Sequence, residues 1–572
     1  MLKLIIRLKS HLSFNRKKQL FFLFLLMVSL SFAEAFSLAT IVPFIGIFLN
    51  PDIFFSHPWL NPFIIFFEIK NEDQLFLSIT IIFIFFVILS GLIKLLFVYK
   101  SNKITQFIEA DLRSKIFKDN IEQSYSYHLE QNSNDVMSNI VQKTSSMASF
   151  VDDFIGILSS LLTILLVFSF LIFLKPFIII SITSVLVIFF VIIFSLNKKR
   201  ILENSKKISE NQDKLVTIFQ NSIGYISELI IYSLHDIFIS KFNKSSNILA
   251  ANFTFNYNKT QTPRVYLEYA TLLCLAALIY FLNKSESNVI NSLTVLAALG
   301  LGTQKMLPLI NRIHGAITRM KGVQGVVTDT LNLLDNSKIE INENSYSGKI
   351  FLKKSIKLKN ICFSYDKKNK FILKNIDLEI KKGSKVGIKG TTGSGKSTLG
   401  NIIIGLLDPT EGQLFIDDIL ISSQNKFAWQ KNVSLIPQNV FMDDSTIAEN
   451  IAIGIDPKEI NLEKVKNAAK QAHIHDFIVS TTDQYNEKVG ERGIRLSGGQ
   501  RQRIGIARAL YRETKIILFD EATNQLDTDT ESLIVKSINN LGKEITIILI
   551  AHRLSTLENC DQIIDLSKKP SD

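Results

Sequence analysis

Gly390-Thr391-Thr392-Gly393-Ser394-Gly395-Lys396-Ser397 follows an apolar strand-like run, Lys385 to Ile388, and leads into a helical run from Thr398. This is the pattern G-x-x-x-x-G-K-[ST] between a strand and a helix, a phosphate cradle. Glycines at Gly390, Gly393 and Gly395 let successive backbone N–H groups, including those of Thr391, Thr392 and Ser394, curl round phosphate oxygens. The helix N-terminus adds its positive end, Lys396 reaches toward the outer phosphates, and Ser397 is placed to ligate Mg2+. The stretch therefore predicts a parallel α/β domain built round a nucleotide triphosphate.

Working outward, Ile516-Ile517-Leu518-Phe519-Asp520-Glu521 is an apolar run that ends in two carboxylates. A run apolar on both faces predicts a buried parallel strand, and ligands in such sheets sit at the carboxyl ends of strands. Asp520 is then placed to hold Mg2+ and Glu521 to take a proton from an attacking water as general base. Between the two phosphate elements stands Leu496-Ser497-Gly498-Gly499-Gln500, followed by Arg501-Gln502-Arg503 and the helical run Ile504 to Leu510. Ser497 with two backbone N–H groups at that helix N-terminus forms a second anion site.

The L-S-G-G-Q motif, lying between a phosphate loop and a strand that ends Asp-Glu, resembles the signature of ATP-binding cassette proteins. The resemblance implies further roles. Tyr365 looks like the aromatic that stacks on adenine, and Gln438 in Ile436-Pro437-Gln438 like the residue that contacts Mg2+ or the attacking water. Val489-Gly490-Glu491-Arg492-Gly493 is similar to the segment that exporters set against their membrane arms. Asp527 resembles the acidic residue that crosses to a partner cassette, and His552 the histidine that contacts the γ-phosphate. In this family one ATP lies between the phosphate loop of one cassette and the signature (Ser497, Gly498, Gly499, Gln500) of another, so a chain with one cassette is expected to dimerise. A homodimer is the simplest assembly, and a heterodimer with another half-transporter is the alternative. One departure is Asn524-Gln525-Leu526-Asp527, where Ser-Ala-Leu-Asp is commoner. Another is that the chain stops soon after His552.

The rest of the chain has another character. Of 572 residues 47% are hydrophobic and 43 are Phe, an excess that crowds the first 310 positions. Two large domains are expected, because single cores stop growing near about 250–300 residues. A helix needs about 20 mostly apolar residues to cross about 30 Å of hydrocarbon. Six segments qualify: Leu20 to Phe48, Leu75 to Tyr99, Phe154 to Leu174, Phe177 to Leu196, Val265 to Leu282 and Val289 to Ile310. The polar stretches Lys100 to Asp153 and Asn197 to Thr262 read as helical arms extending those spans, with short transverse helices near Tyr125 to Asn134 and Ser222 to Tyr232. The expected organisation is an all-α six-helix transmembrane domain over 1–317, a connecting segment over 318–355 and an α/β ATP-binding cassette over 356–572.

A net charge of +12 raises nucleic acid as a partner, but cytoplasmic loops of membrane proteins carry such cations, and no nucleic acid is expected. Lys3, Arg7, Lys9, Arg16, Lys17 and Lys18 precede the first span, and Lys198, Lys199 and Arg200 follow the fourth, so both termini and the cassette are expected in the cytoplasm of a bacterial cell. Cys274, Cys362 and Cys560 lie far apart and read as buried small residues. Glu34, Lys94, Glu268, Lys305 and Arg312 fall at or near apolar spans and each needs a reason. Lys94 and Arg312 are expected near helix ends, reaching to water. Glu34 belongs in the bundle interior or in a translocation cavity.

Six spans ahead of a cassette resemble an exporter. Ser31 to Glu34 with Pro43-Phe44-Ile45, Pro263 to Glu268, and Met306-Leu307-Pro308 with Asn311-Arg312 resemble flippases of lipid-linked oligosaccharides. A diphosphate head group needs cations, and Arg264, Lys305 and Arg312 offer them; helix-end snorkelling explains them too. Export of drugs or peptides is the alternative substrate class, and an ATP-gated channel or regulator the alternative mechanism. The start of the chain also reads as a signal peptide with an A-x-A-like site at Ala33-Glu34-Ala35. Cleavage there would leave Phe36 to Leu49 in water, so an uncut first span is expected. N-terminal sequencing of the purified protein should therefore start ahead of Phe36; a start at Phe36 would overturn the six-span topology.

Overall fold

The computed structural model describes residues 1–49, 65, 71–130, 140, 143–174, 176, 180, 184, 200, 203–204, 206–208, 210–285, 289–336, 350–365, 371–521, 533, 544–551, 557–558 and 560–567. They fall into two compact units, one of Met1–Ile121 with Gln131–Lys338, the other of Glu122–Glu130 with Ile339–Asp572.

The first unit is helical: α1 (Leu2–His11), α2 (Phe14–Ala39), α3 (Ile41–Leu49), α4 (Glu72–Ile121), α6 (Thr144–Leu174), α7 (Ile226–Ile231), α8 (His235–Ser285), α9 (Val289–Gly322) and α10 (Gln324–Asn336). The short α5 (Tyr125–Glu130) falls in the second unit. Among the described residues three stretches are long and apolar enough to cross a membrane, Phe14–Phe48, Asp73–Ile121 and Thr144–Ile172. The expected fifth and sixth spans lie within α8 and α9; the fourth lies outside the described residues. Helix α4 runs unbroken for 50 residues, ~75 Å, more than twice the hydrocarbon thickness. It is therefore longer than a single crossing needs.

The first span is not one straight helix. Pro43 has no N–H to give the Ala39 carbonyl, and its ring crowds that turn, so α2 ends at Ala39 and α3 resumes one residue later. Helix α1 is a feature the sequence reading passed over. Leu4, Leu8 and Leu12 recur on one face and are buried in a cluster with Val327, Leu331 and Leu334 of α10 and Ile108, Leu112 and Ile116 of α4. Arg7 donates to Asp335 (3.1 Å) and Asn332 (2.9 Å), and His11 meets the same carboxylate at 2.6 Å. These bonds hold the Asp335 carboxyl below the usual carboxylate range, Arg7 first and His11 next. Two residues on, the Ser13 hydroxyl caps α2 by accepting from the Arg16 N–H.

The second unit carries two sheets. One is antiparallel, with order β2 (Leu373–Lys381), β1 (Ser355–Phe363), β4 (Glu411–Ile416), β5 (Ile419–Leu420). The other runs β6 (Val433–Ile436), β7 (Ile516–Asp520), β8 (Thr546–Ile550), β3 (Lys385–Lys389), β9 (Gln562–Asp565), and its pairs are parallel throughout. Every residue of β8 and all but the last of β7 are buried, as a sheet covered on both faces requires. Helices α11 (Lys396–Ile403), α12 (Lys426–Gln430) and α16 (Gly498–Tyr511) pack on its strands, and α13 (Ile447–Ile451) and α14 (Leu462–Gln471) pack on α16, with α15 (His475–Ser480) against α14. Trp429, fully buried, donates its indole N–H to the Ile403 carbonyl at the end of α11 (3.0 Å). Cys362 is buried and Cys560 half-buried, both free, and burial pushes the Cys560 thiol up to about 11.

Within the helical unit Asp153 is 5% exposed and accepts two hydrogen bonds from the Arg319 Nε, at 3.0 and 3.1 Å, joining α6 to α9. Removing the cation strands a buried carboxylate, a loss of about 2 kcal/mol after discounting the exposed Arg319 end. R319A should accordingly lower the apparent melting temperature in detergent by several degrees, and R319A combined with D153N should recover most of it. Equal melting of all three forms would show the pair to be inert.

Candidate functional site

The site grows from the carboxyl edge of the parallel sheet. Strand β3 ends and the loop 390–395 turns into α11 through two residues in the left-handed region, Gly393 (φ +81°) and Gly395 (φ +93°). A Cβ on Gly395 would stand 2.8 Å from Leu373, so position 395 has neither the backbone freedom nor the room for a side chain. Lys396 is buried, and its ammonium donates to the Gly390 and Thr391 carbonyls at 3.0 and 3.1 Å. Among the described residues the buried Ser394 hydroxyl has no hydrogen-bond partner. An ammonium folded back onto its own loop beside an orphaned hydroxyl fits a cradle shaped for phosphate oxygens.

The neighbouring strand brings the acids. Because β7 lies two strands from β3 across β8, Asp520 comes to the edge beside α11, and its Oδ1 accepts from the Ser397 hydroxyl at 2.9 Å. Burial raises the Asp520 carboxyl above the usual range; the Ser397 bond lowers it, the Glu521 charge raises it and Lys396 lowers it. A desolvated carboxylate paired with a hydroxyl is a donor set suited to a hard dication. Glu521 follows with φ +48°, a left-handed position for a non-glycine residue, and its N–H donates to the Ile550 carbonyl (3.0 Å). This turn swings the side chain off the strand, where Oε2 accepts from the Gln438 amide at 2.9 Å. Gln438, after β6, is itself joined through its carbonyl to the Gln502 amide of α16 at 3.5 Å.

Tyr365 is 47% exposed, its ring edge-on to Phe363 (4.9 Å between centroids) and its hydroxyl 3.1 Å from that of Thr398. The exposed ring therefore stands next to the phosphate helix. At the start of α16, Ser497 and Gln500 form a reciprocal capping box: the Gln500 N–H donates to Ser497 Oγ (3.2 Å) and the Ser497 N–H to Gln500 Oε1 (2.8 Å). Among the described residues no hydrogen bond or ion pair joins residues 497–500 to the phosphate loop of the same chain. Asp527 and His552 lie outside the described residues, as does the departure at 524–526.

In the helical unit, Glu34 is 7% exposed and its carboxylate accepts from Lys94 at 2.9 Å. Lys94, expected to reach water from a helix end, has an exposed side chain whose ammonium also pairs with Glu34, since a buried carboxylate is costly without a counter-charge. Lys305 donates to the Ser37 hydroxyl at 2.7 Å and stands 3.5 Å from the Glu34 carbonyl. Arg312 packs against Gly156, where a Cβ would lie 2.9 Å from its Nε. Glu268 is exposed on α8, and nothing is described of the Arg264 side chain. The convergence of Glu34, Lys94 and Lys305 was not anticipated. Its signal was opposite charges placed in two successive, hence antiparallel, spans.

Residues 373–524 match the ABC transporter family and residues 20–281 the ABC transporter transmembrane region. Among relatives, an ATP-dependent lipid A-core flippase of Wigglesworthia glossinidia brevipalpis is 31% identical over 397 residues, 68% of this chain and 67% of that one. A Bacillus subtilis protein named for multidrug export is 27% identical over 514 residues, 86% of this chain and 85% of the other. The fold is that of a bacterial Atm1-family ABC exporter, with TM-score 0.77 at 22% identity, over 96% of this chain and 94% of the exporter's. With transmembrane region and cassette in one polypeptide, the chain belongs to the ABC transporters, as an ATP-binding and ATP-hydrolysing exporter that crosses the membrane more than once.

Proposed function

We propose that two copies of this chain form an exporter that flips a lipid-linked oligosaccharide, or a related anionic amphipathic lipid, across the bacterial inner membrane, with both termini and the cassettes in the cytoplasm. The observation that carries the substrate class is the group inside the helical unit: Lys94 pairs with the Glu34 carboxylate, while Lys305 beside it rests on the Ser37 hydroxyl and the Glu34 backbone carbonyl. Among the described residues Lys305 forms no ion pair, and a cation among apolar spans is costly unless an anion or water meets it. The relative named for flipping lipid A-core supports the same class. Arg312 adds a second cation on α9, two turns from Lys305.

The chemistry follows from the cassette. The N–H groups of the 390–398 loop and the Lys396 ammonium, released from its carbonyls, bind the β- and γ-phosphates, and Tyr365 stacks on the adenine. Ser397, Asp520 and Gln438 would hold Mg2+, which when bound neutralises phosphate charge. Glu521 accepts the proton of the attacking water, and the Gln438 amide on its other oxygen fixes which lone pair faces that water. His552 reaches the γ-phosphate and Asp527 the partner. The signature belongs to the other cassette's site: Ser497 and the N–H groups of Gly498 and Gly499 cap the partner's γ-phosphate, with Gln500 holding the turn. ATP thus draws two cassettes together, and hydrolysis at Glu521 separates them.

E521Q should bind ATP as the parent does and turn it over roughly 100-fold more slowly; parental turnover would remove Glu521 from the role of base. In proteoliposomes, the parent should change the leaflet exposure of a lipid-linked oligosaccharide when ATP is added, and E521Q should not. For the membrane cations, K305Q combined with R312Q should lose stimulation of ATP hydrolysis by that lipid relative to its own unstimulated rate. Full stimulation in the double variant would separate these cations from the substrate.

A further inference from the structure

A cleft of about 620 Å3 opens between α2 and α4, away from the Glu34 group and closer to the amino-terminal end of α2. Three cations line it, Arg16 from α2 with Lys100 and Lys103 from α4, and its apolar wall is made by Phe22, Leu26 and Phe107. The helices run antiparallel here, since Glu34 meets Lys94 near one end and Arg16 meets Asp111 near the other. Lys100 and Lys103 therefore stand deeper along the span than Arg16, level with the apolar part of α2.

The three cations differ in how they are held. Arg16 donates to both oxygens of Asp111 (2.8 and 3.2 Å) and to Gln19 (2.9 Å), and its guanidinium lies 4.9 Å over the Phe107 ring. Its charge is answered and its position fixed. Lys103 faces the Tyr99 ring at 5.9 Å. Neither Lys103 nor Lys100 pairs with a carboxylate among the described residues. The cleft thus joins two unanswered ammonium groups to an apolar trough at the edge of a membrane span. Lysines that only snorkelled to water would not need to line a cavity with aromatic and leucine walls.

We propose that this cleft binds an anionic glycerophospholipid of the leaflet adjoining the amino-terminal end of α2. Its phosphate lies between Lys100 and Lys103, with Arg16 and Gln19 at the rim, and one acyl chain leaves past Leu26 toward the middle of the span. Charge complementarity selects an anionic head group, and the apolar wall selects a lipid over a free ion. The site is separate from the Glu34 group and needs no ATP, so binding here and export of a substrate are tested by different readouts.

The test uses the full chain reconstituted in nanodiscs of phosphatidylcholine doped with phosphatidylglycerol, then transferred to detergent for native mass spectrometry. The parent should retain phosphatidylglycerol in preference to phosphatidylcholine, and excess inorganic phosphate should not strip it. K100Q/K103Q should bind phosphatidylglycerol roughly thirtyfold more weakly, as expected for two lysines each acting on an anionic lipid. K100R/K103R should keep the lipid, and unchanged unstimulated ATP hydrolysis in both variants reports that they fold. Equal retention by parent and K100Q/K103Q would overturn the proposal. So would equal retention of phosphatidylcholine, which would make the cleft a plain acyl groove, or displacement by phosphate, which would make it an ion site.

Discussion

A parallel sheet sends the carboxyl ends of all its strands to one edge, and the chemistry of the cassette depends on that constraint. The phosphate loop leaves β3, the two acids leave β7 and Gln438 leaves β6, three segments distant in sequence that the order β6-β7-β8-β3-β9 brings to one line. No side chain has to be long to make the contacts: Ser397 to Asp520 and Gln438 to Glu521 are both 2.9 Å. The register of β7 on β8 sets Asp520 opposite Ile550, and the Glu521 N–H then finds the Ile550 carbonyl. A one-residue slip would exchange the two acids and turn the base into the core. The buried apolar run of β7 is therefore as much a part of the site as the acids it presents.

The helical unit obeys a different constraint, the cost of charge away from water. Three of its described carboxylates are answered across helix pairs: Glu34 by Lys94 between α2 and α4, Asp153 by Arg319 between α6 and α9, Asp111 by Arg16 between α4 and α2. Such pairs contribute little net stability against an apolar alternative, but each fixes which face of one helix meets which face of another. Lys305 is held differently, its ammonium resting on a hydroxyl and a backbone carbonyl.

The cassette was legible because its signals are local. Loop spacing, an apolar run ending in Asp-Glu and a capping serine ahead of a helix each read off a few consecutive residues, and β3 and β7 stand within a residue of where those signals put them. The same holds for the length of α4, whose polar continuation kept helical composition. What was not legible depends on pairs. Nothing in Leu4, Leu8 and Leu12 says that their partner is α10, more than 300 residues away, and the Arg7–Asp335 contact cannot be found from either end alone. The break after Ala39 was in principle readable, since Pro43 removes the N–H that its carbonyl needs. The apolar signal of a span simply outweighed it.

The basic excess of the chain shows why a charge count cannot assign a partner by itself. Arg7 and Arg16 belong to the amino-terminal basic group, yet each is engaged by a carboxylate, Asp335 or Asp111, and does structural service. Bidentate geometry gives Arg16 a fixed position, which a flexible lysine at that place would not have. Lysine stands where the charge has to remain available: Lys100 and Lys103 on α4 keep mobile ammonium groups beside an apolar trough. Arginine is spent on architecture at this edge of the bundle and lysine is left for a ligand. The sign of the total, +12, is the sum of both uses and distinguishes neither.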